Sequence, residues 1–321
     1  MKPPGTATSS AETMELFKPF STSTFFAKYF ERGVLYQKAT RCSTDYFNIT
    51  DVEEWLFQQR LTSARVDVYS DGLGRKAPTY TTMEEPVPPH EIENCLKRGS
   101  TIRITRIDHL SKQITQNCEY LAQTFKATTA ANLYITPPYR KGLNVHYDQH
   151  DVIIYQIHGK KLWNFYNHQG EGKELPLEYG AMETFEYEKK PARRLMMKPG
   201  DMLYIPRGQL HAAFATDTLS AHVTYGIEPI RVIDLLHRLA SRAALEDRRF
   251  RRAIYRGNAW IQRTEIHSLL ESLGEMVSSP ATFNEAIADV AEHKSRLITR
   301  AISPGPIGDL EVALLQGSSK A

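Results

Sequence analysis

The chain has 321 residues, of which 41% are hydrophobic and 10% aromatic, and its formal net charge is +3. This composition excludes a fibrous or wholly disordered protein and is enough for one large core plus a smaller appendage. Cys42, Cys95 and Cys118 are scattered, so neither a disulfide framework nor a zinc site is indicated, and we expect a reducing, cytoplasmic location. Residues 1–16 lack an apolar run and predict a disordered tail, with no signal peptide or membrane span.

Alternating short helices and strands are predicted before residue 130. Residues 25–33 predict a short helix that ends at Gly33, and 50–53 form a capping box that opens another helix. Hydrophobic periodicity predicts strands over 66–69 and 101–107, a helix over 110–125, and a further strand that contains Asn132.

Residues 72–89 predict a polar loop, because Pro78, Pro86, Pro88 and Pro89 interrupt regular structure. A loop of this length either covers the mouth of a functional site or is a solvated connection. The sequence does not distinguish the two.

Three side chains predict a metal site. His146 and Asp148 stand at i and i+2, so on a strand they point to the same face, and His211 follows 211 − 146 = 65 residues later. Two histidines and one carboxylate on one face of an octahedral metal leave three positions open, which is typical of non-haem Fe(II) oxygenases. The pair alone is weak evidence in a chain with 11 histidines.

A lysine follows the metal motif on a predicted inward face. Residues 151–158 form an apolar, β-branched strand, and after Gly159 a second strand over 161–166 would complete a hairpin. Period 2 places Lys161 on one face with Trp163 and Phe165, which argues that this face is buried. Lys161 then either meets an anionic partner inside or extends its ammonium to the rim.

The remaining strands predict a double-stranded β-helix. Residues 199–201 form a turn, 202–205 a short strand and 206–208 a second turn that delivers His211. A further strand over 221–227 would pair beside the 202–205 strand. Short strands with a metal triad divided between two halves indicate a mainly β jelly-roll or cupin fold with flanking helices.

Four segments together resemble the JmjC-domain oxygenases of the ribosomal oxygenase, or cupin-4, group. They are NLYITPP from Asn132, HYDQHDV from His146, QIHGKKLW from Gln156, and the stretch from Pro199 to His211. The resemblance covers about residues 17–230 and implies a JmjC catalytic domain over 17–229.

This resemblance implies that His146, Asp148 and His211 bind Fe(II). Lys161, at 161 − 146 = 15 positions after the first ligand, would hold the distal carboxylate of the co-substrate 2-oxoglutarate. The other pocket residues that the resemblance implies are Asn132, Tyr134 and, with their relative roles left open, His222 and Thr224.

The implied activity is O₂- and 2-oxoglutarate-dependent hydroxylation of a C–H bond in an amino-acid side chain of a protein or peptide. Three alternatives stay open: an N-methyl-lysine demethylase, a tailoring hydroxylase of a small peptide, natural product or tRNA nucleoside, and a cupin that isomerises or merely binds its ligand. Formaldehyde release would identify the demethylase, and iron-independent behaviour would identify the last class.

Residues 230–321 predict a C-terminal helical domain, which in the similar oxygenases dimerises, so we expect a homodimer. A basic cluster from Arg248 to Arg256 either steers an anionic partner, including nucleic acid, or is a solvated helix face. Amphipathic stripes mark three helices: Val232, Leu235, Leu236, Leu239, Ala243 and Leu245; Ile266, Leu269, Leu270 and Leu273; and Phe283, Ala286, Ile287 and Val290.

Overall fold

The structure is a computed structural model that describes residues 21–38, 48–58, 61–70, 73–76, 86–168, 175–176, 187–253 and 263–300. The predicted tail (1–16), Cys42 and Arg256 lie outside these residues. Cys95 and Cys118 are buried free thiols. Among the described residues, no helix has the length and apolar character needed to cross a bilayer.

Regular elements alternate along the described residues. The strands are β1 (Leu35–Gln37), β2 (Val66–Ser70), β3 (Leu73–Lys76), β4 (Thr101–Ile104), β5 (Ala127–Thr136), β6 (Asp151–His158), β7 (Lys161–Phe165), β8 (Arg193–Met197), β9 (Met202–Ile205), β10 (His211–Ala215) and β11 (Ser220–Pro229). The helices are α1 (Thr22–Lys28), α2 (Ile49–Phe57), α3 (Pro89–Lys97), α4 (Lys112–Phe125), α5 (Val232–Glu246), α6 (Arg263–Ser278) and α7 (Pro280–Arg300).

Two antiparallel sheets enclose the core. An eight-stranded sheet has the order β1-β9-β6-β11-β5-β4-β2-β3, and a three-stranded sheet has the order β10-β7-β8. Apolar side chains from both sheets pack together, with Ile154 and Leu203 on the large sheet against Trp163 and Met197 on the small one. The predicted double-stranded β-helix of the cupin type, with flanking helices, is therefore confirmed.

The predicted hairpin over 151–166 is wrong. β6 pairs with β9 and β11 in the large sheet, whereas β7 pairs with β8 and β10 in the small one. The two consecutive strands are joined by a tight corner, where Gly159 has φ +61° and an added Cβ would lie 1.9 Å from the carbonyl oxygen of Leu219. Only glycine fits this corner, where the backbone crosses from one sheet to the other.

The predicted pairing of the 221–227 strand beside 202–205 is also wrong. β6 lies between β9 and β11, so that Ile154 is opposite Leu203 on one side and Thr224 on the other. Strand order within a jelly roll depends on contacts between distant segments, which local periodicity does not encode.

Three local predictions shift by a few residues. α1 ends at Lys28, and Glu31, not Gly33, takes the left-handed conformation that follows it. The capping box of α2 is formed by Asn48 and Asp51. The Oδ1 of Asn48 accepts from the N–H of Thr50, and the Oδ2 of Asp51 accepts from the N–H of Asn48, each at 2.7 Å. β4 ends at Ile104, before the left-handed Arg106.

The predicted loop over 72–89 contains a strand at its start and a buried residue near its end. β3 pairs with β2, and Val87 is buried just before α3. Residues 77–85 lie outside the described part of the protein, so the proposed cover of the site stays a prediction.

The chain divides into two compact units, the first ending at Glu228 and the second comprising Pro229 onward together with Lys126–Thr128. In the second unit, α5, α6 and α7 pack around Leu239, Ala243, Leu269, Ala286 and Val290. Other members of the predicted stripes are exposed: Val232, Leu236, Leu245, Ile266 and Leu270.

Two arginines of the basic cluster form contacts within the helical unit. Arg249 forms an ion pair of 2.6 Å with Asp247, and Arg251 donates to the carbonyl oxygen of Ala244 at the end of α5. These contacts support the solvated, structural alternative for both arginines.

Candidate metal centre and co-substrate pocket

The three predicted metal ligands meet where two segments exchange main-chain hydrogen bonds. His146 precedes β6 and His211 begins β10, and their backbones pair through N–H···O bonds of 3.1 and 2.8 Å. Asp148 is fixed at its carbonyl oxygen, which accepts a 2.9 Å bond from the N–H of Gly208. The nearest ligand atoms of the three side chains all lie within 4.8 Å of one another.

Both imidazoles are oriented through the ring nitrogen that faces away from the cluster. The Nδ1 of His146 lies 2.7 Å from the carbonyl oxygen of Asn144, and the Nδ1 of His211 lies 2.9 Å from that of Gln209. A carbonyl oxygen can only accept, so each Nδ1 donates a proton to it, and Nε2 is the ring nitrogen that remains available to a metal. The Nε2 of His211 lies 3.7 Å from an oxygen of Asp148.

The protonation states also suit a divalent metal. Burial, and then the neighbouring His146, lower the pKa of His211 to about 4, which keeps the ring neutral near pH 7. Burial alone would raise the pKa of Asp148, but the surrounding imidazoles His146, His150 and His211 reverse this effect and lower it. Two imidazoles and one carboxylate on an open face fit Fe(II).

A cavity of about 130 Å³ opens beside these ligands. This volume is well below the range of roughly 300–1,000 Å³ that is usual for larger ligands, so it suits a small acid and the tip of one side chain. All the predicted site residues line it: His146, Asp148 and His211 at one end, Lys161 at the other, and Asn132, Tyr134, His222 and Thr224 on the walls.

Lys161 points into the cavity and is 1% exposed, which excludes the alternative that it reaches the rim. Its Nζ lies 2.9 Å from the Oγ1 of Thr136 and 3.3 Å from the Nδ1 of His222. Among the described residues no carboxylate forms an ion pair with it, and burial lowers its pKa to about 7. The preceding Lys160 is exposed, so the strand register is the predicted one.

His222 and Thr224 both line the cavity from β11. His222 stacks on Tyr134, with ring centroids 5.0 Å apart, and accepts from Lys161. Burial, and then the charge on Lys161, lower the pKa of His222 well below its usual value, so it stays neutral.

Asn132 is held by the N–H of Arg106, which donates to its Oδ1 at 3.1 Å.

Sequence reasoning missed Thr136, which contacts Lys161, and two polar residues that line the cavity, Arg103 and His150. Thr136 continues the inward series of Asn132 and Tyr134 along β5, so strand period 2 could have revealed it. Arg103 reaches the site because β4 pairs with β5, where it lies opposite Tyr134. His150 shares the parity of Asp148 and lines the cavity beside it.

Comparison with known proteins agrees with this geometry. Residues 106–235 match the model of the JmjC domain. This segment of the chain, which holds all the predicted metal ligands, is therefore similar to a JmjC domain.

Among curated proteins, this chain is 30% identical over 216 residues to the bifunctional lysine-specific demethylase and histidyl-hydroxylase NO66 of Drosophila persimilis, covering 65% of this chain and 30% of that protein. It is 27% identical over 257 residues to ribosomal oxygenase 1 of Rattus norvegicus, covering 75% of this chain and 42% of that protein. The chain therefore spans less than half of the length of either relative.

Among solved structures, YcfD of E. coli aligns with a TM-score of 0.56 and 14% identity, over 85% of this chain and 71% of that one. A ribosomal oxygenase YcfD structure in complex with cobalt and 2-oxoglutarate aligns with a TM-score of 0.55, at 14% identity and the same coverage. At this identity the likeness establishes the fold.

Proposed function

We propose that this protein is an Fe(II)- and 2-oxoglutarate-dependent oxygenase that hydroxylates a C–H bond in an amino-acid side chain of a protein or peptide. One observation carries the proposal: an open face of two histidines and one aspartate stands at one end of a small cavity, and a buried lysine without an acidic partner among the described residues stands at the other. A short dicarboxylate fits between them. The relatives named as hydroxylases and oxygenases, and the YcfD complex with cobalt and 2-oxoglutarate, support it.

His146, Asp148 and His211 would hold the iron, which when bound supplies the activation of O₂ that couples oxidative decarboxylation of 2-oxoglutarate to C–H hydroxylation. Lys161 binds the distal carboxylate of 2-oxoglutarate, and Thr136 and His222 hold the lysine nitrogen in place. Val152, Ile154 and Trp163 also line the cavity, and these apolar side chains help to exclude water, which strengthens this ion pair.

The test is turnover of 2-oxoglutarate by the full-length protein with and without Fe(II), measured as succinate formed. We expect succinate to depend on both iron and O₂. Because we also propose a cytoplasmic location, the substrate search uses cytosolic proteins from cells with and without the enzyme, compared by mass spectrometry for a hydroxylation mass shift. Succinate formation that persists after chelation of iron would refute the proposal.

Demethylation of N-methyl-lysine is the second candidate, because NO66 is named for both activities. Arg103 is paired with Asp67 at 2.8 Å, and among the described lining residues Asp148, a proposed metal ligand, is the single carboxylate. The described lining therefore offers no free carboxylate to pair with a methyl-ammonium group, which favours hydroxylation of a neutral side chain. Formaldehyde release with a methyl-lysine peptide would favour demethylation, whereas an added oxygen without formaldehyde favours hydroxylation.

We further propose that the protein forms a homodimer through its helical unit. Ile266, Leu270 and Val277 follow one another at helical spacing on α6 and are 41–59% exposed. An exposed apolar stripe of this kind usually marks an interface. Light scattering should return about twice the monomer mass of 36.6 kDa. Leu270→Lys should shift the protein toward monomer, whereas Glu271→Lys on the neighbouring polar face should not. A wild-type monomer at micromolar concentration would contradict the proposal.

A further inference from the structure

The turn between β9 and β10 holds two of the three proposed metal ligands. At Gly208, φ is +84°, and its N–H donates to the carbonyl oxygen of Asp148 at 2.9 Å. At the next residue, the carbonyl oxygen of Gln209 accepts from the Nδ1 of His211 at 2.9 Å. A shift of this turn therefore moves the backbone of one ligand and the ring of another.

The turn is itself anchored by an ion pair to a distant segment. Arg207 is 8% exposed, and its Nε and terminal nitrogen lie 2.9 and 2.6 Å from one carboxylate oxygen of Glu31. Glu31 follows α1, 176 residues earlier in the sequence, and lies 106 − 31 = 75 residues before the start of the JmjC match. The anchor is thus outside the segment that identifies the domain.

Glu31 is held in a conformation that its own side chain does not favour. Its φ is +54°, in the left-handed region, which is strained for a residue with a Cβ and persists only where the surroundings fix it. Its N–H donates to the hydroxyl oxygen of Tyr204 at 3.0 Å, and that hydroxyl donates to the buried Asp151 at 2.6 Å. Asp151 also accepts from the N–H of Arg207 at 3.4 Å. Glu31 and Arg207 are therefore connected a second time, through Tyr204 and Asp151.

From these contacts we propose that Arg207 and Glu31 are positioning residues of the metal centre. They touch neither the cavity nor a ligand side chain, and they act by fixing the turn that holds Asp148 and His211. A buried guanidinium that loses its carboxylate partner is left uncompensated, so without Glu31 the Arg207 side chain would move to find water or another acceptor. The inference rests on the metal centre proposed above and adds that its affinity for metal depends on the segment after α1.

The experiment measures Co(II) binding by the full-length protein, from the visible absorption of the bound ion, for the wild type, Arg207→Met and Glu31→Gln. Loss of residues that orient ligands typically weakens metal binding by about 10–100-fold, and we expect this for Arg207→Met, with a smaller loss for Glu31→Gln. The double variant should lose no more than Arg207→Met alone, since both residues act through one contact. Arg207→Lys should restore part of the affinity.

A matched control lies in the helical unit. Arg238 contacts one oxygen of Asp289 with the same two nitrogens and the same distances, 2.9 and 2.6 Å, and Arg238→Met should leave Co(II) affinity unchanged. Thermal unfolding is measured in parallel. If Arg207→Met and Glu31→Gln lower the melting temperature while Co(II) affinity and spectrum stay those of the wild type, the pair is merely structural and the inference is wrong. Should Arg207→Met not fold, Glu31→Gln decides alone. A wild-type protein that binds no Co(II) would overturn the metal centre itself.

Discussion

The two ends of the cavity are built on opposite electrostatic principles. At the metal end, each ligand is fixed through an atom that does not face the metal: Nδ1 in His146 and His211, and the carbonyl oxygen in Asp148. At the other end, Lys161 is almost completely buried and has two neutral partners, Thr136 and His222. The metal end therefore offers three ligand atoms to a cation, and the lysine end offers a buried ammonium to an anion.

This difference teaches which end depends on geometry and which on charge. Metal binding needs one ligand atom from each of the three side chains at the same time. A small displacement of one ligand at the metal end therefore weakens metal binding. At the lysine end, the charge of the bound group matters more than its exact position. A carboxylate there offsets the free-energy cost of burying the ammonium. Changes at the two ends should accordingly affect different measured quantities.

The largest effect is expected at the metal end. Asp148→Ala removes the single anionic ligand of the triad, and we expect turnover of 2-oxoglutarate to fall to the background rate while circular dichroism stays that of the folded protein. Asp217→Ala, which removes an exposed carboxylate beside Thr216, is the control and should keep full activity. Full activity of Asp148→Ala with Fe(II) supplied would contradict the metal assignment.

The next effect separates binding from chemistry at the lysine end. Breaking a buried ion pair by removing one partner costs roughly 3–5 kcal/mol, so Lys161→Ala should raise the KM for 2-oxoglutarate by about two to three orders of magnitude. Lys161→Arg should be milder, because a guanidinium still binds a carboxylate.

Lys160 is the internal control for this prediction. It is exposed one position earlier, so Lys160→Ala should leave the KM unchanged. If Lys160→Ala were the damaging change and Lys161→Ala neutral, the pocket assignment would be wrong.

The site was more predictable from the sequence than the connections that build it. Period 2 on β7 is a local property, and it correctly placed Lys161 on the face of Trp163 and Phe165. The triad followed from spacing and from the resemblance. Arg103 was missed because it reaches the cavity through the pairing of β4 with β5, which joins segments distant in the sequence.

The errors in topology have the same cause. A glycine between two strands is compatible with a hairpin and with a crossing between sheets, and the neighbours of Gly159 decide between them. The decisive contact, with the carbonyl oxygen of Leu219, comes from 60 residues further along the sequence (219 − 159). The insertion of β6 between β9 and β11 is likewise fixed by packing that no local pattern records.

A third prediction uses the pKa of Lys161, which burial lowers to about 7. A bound carboxylate favours the ammonium and raises this pKa in the complex, so binding takes up a proton above pH 7. The affinity for 2-oxoglutarate should be constant below pH 7 and fall by about tenfold per pH unit above it, until the pH reaches the pKa of the complex. Calorimetry with Co(II) in place of iron, from pH 6 to 9, measures this. Lys161→Arg should abolish the slope, and a wild-type affinity independent of pH would show that Lys161 is already charged in the free protein.

The smallest effect is expected at Thr136, whose hydroxyl accepts from the lysine nitrogen at 2.9 Å. Thr136→Val keeps the shape of the side chain and removes this acceptor, which is worth about 0.5–1.5 kcal/mol, so the affinity for 2-oxoglutarate should fall roughly 2- to 13-fold. Because the hydroxyl stabilises the charged form of Lys161, the same change should lower the pH at which affinity begins to fall. Thr129→Val, which removes a hydroxyl that donates to the carbonyl oxygen of Cys118, is the matched control and should alter stability alone. A weaker affinity without any shift in the pH profile would mean that Thr136 shapes the cavity but does not hold the ammonium.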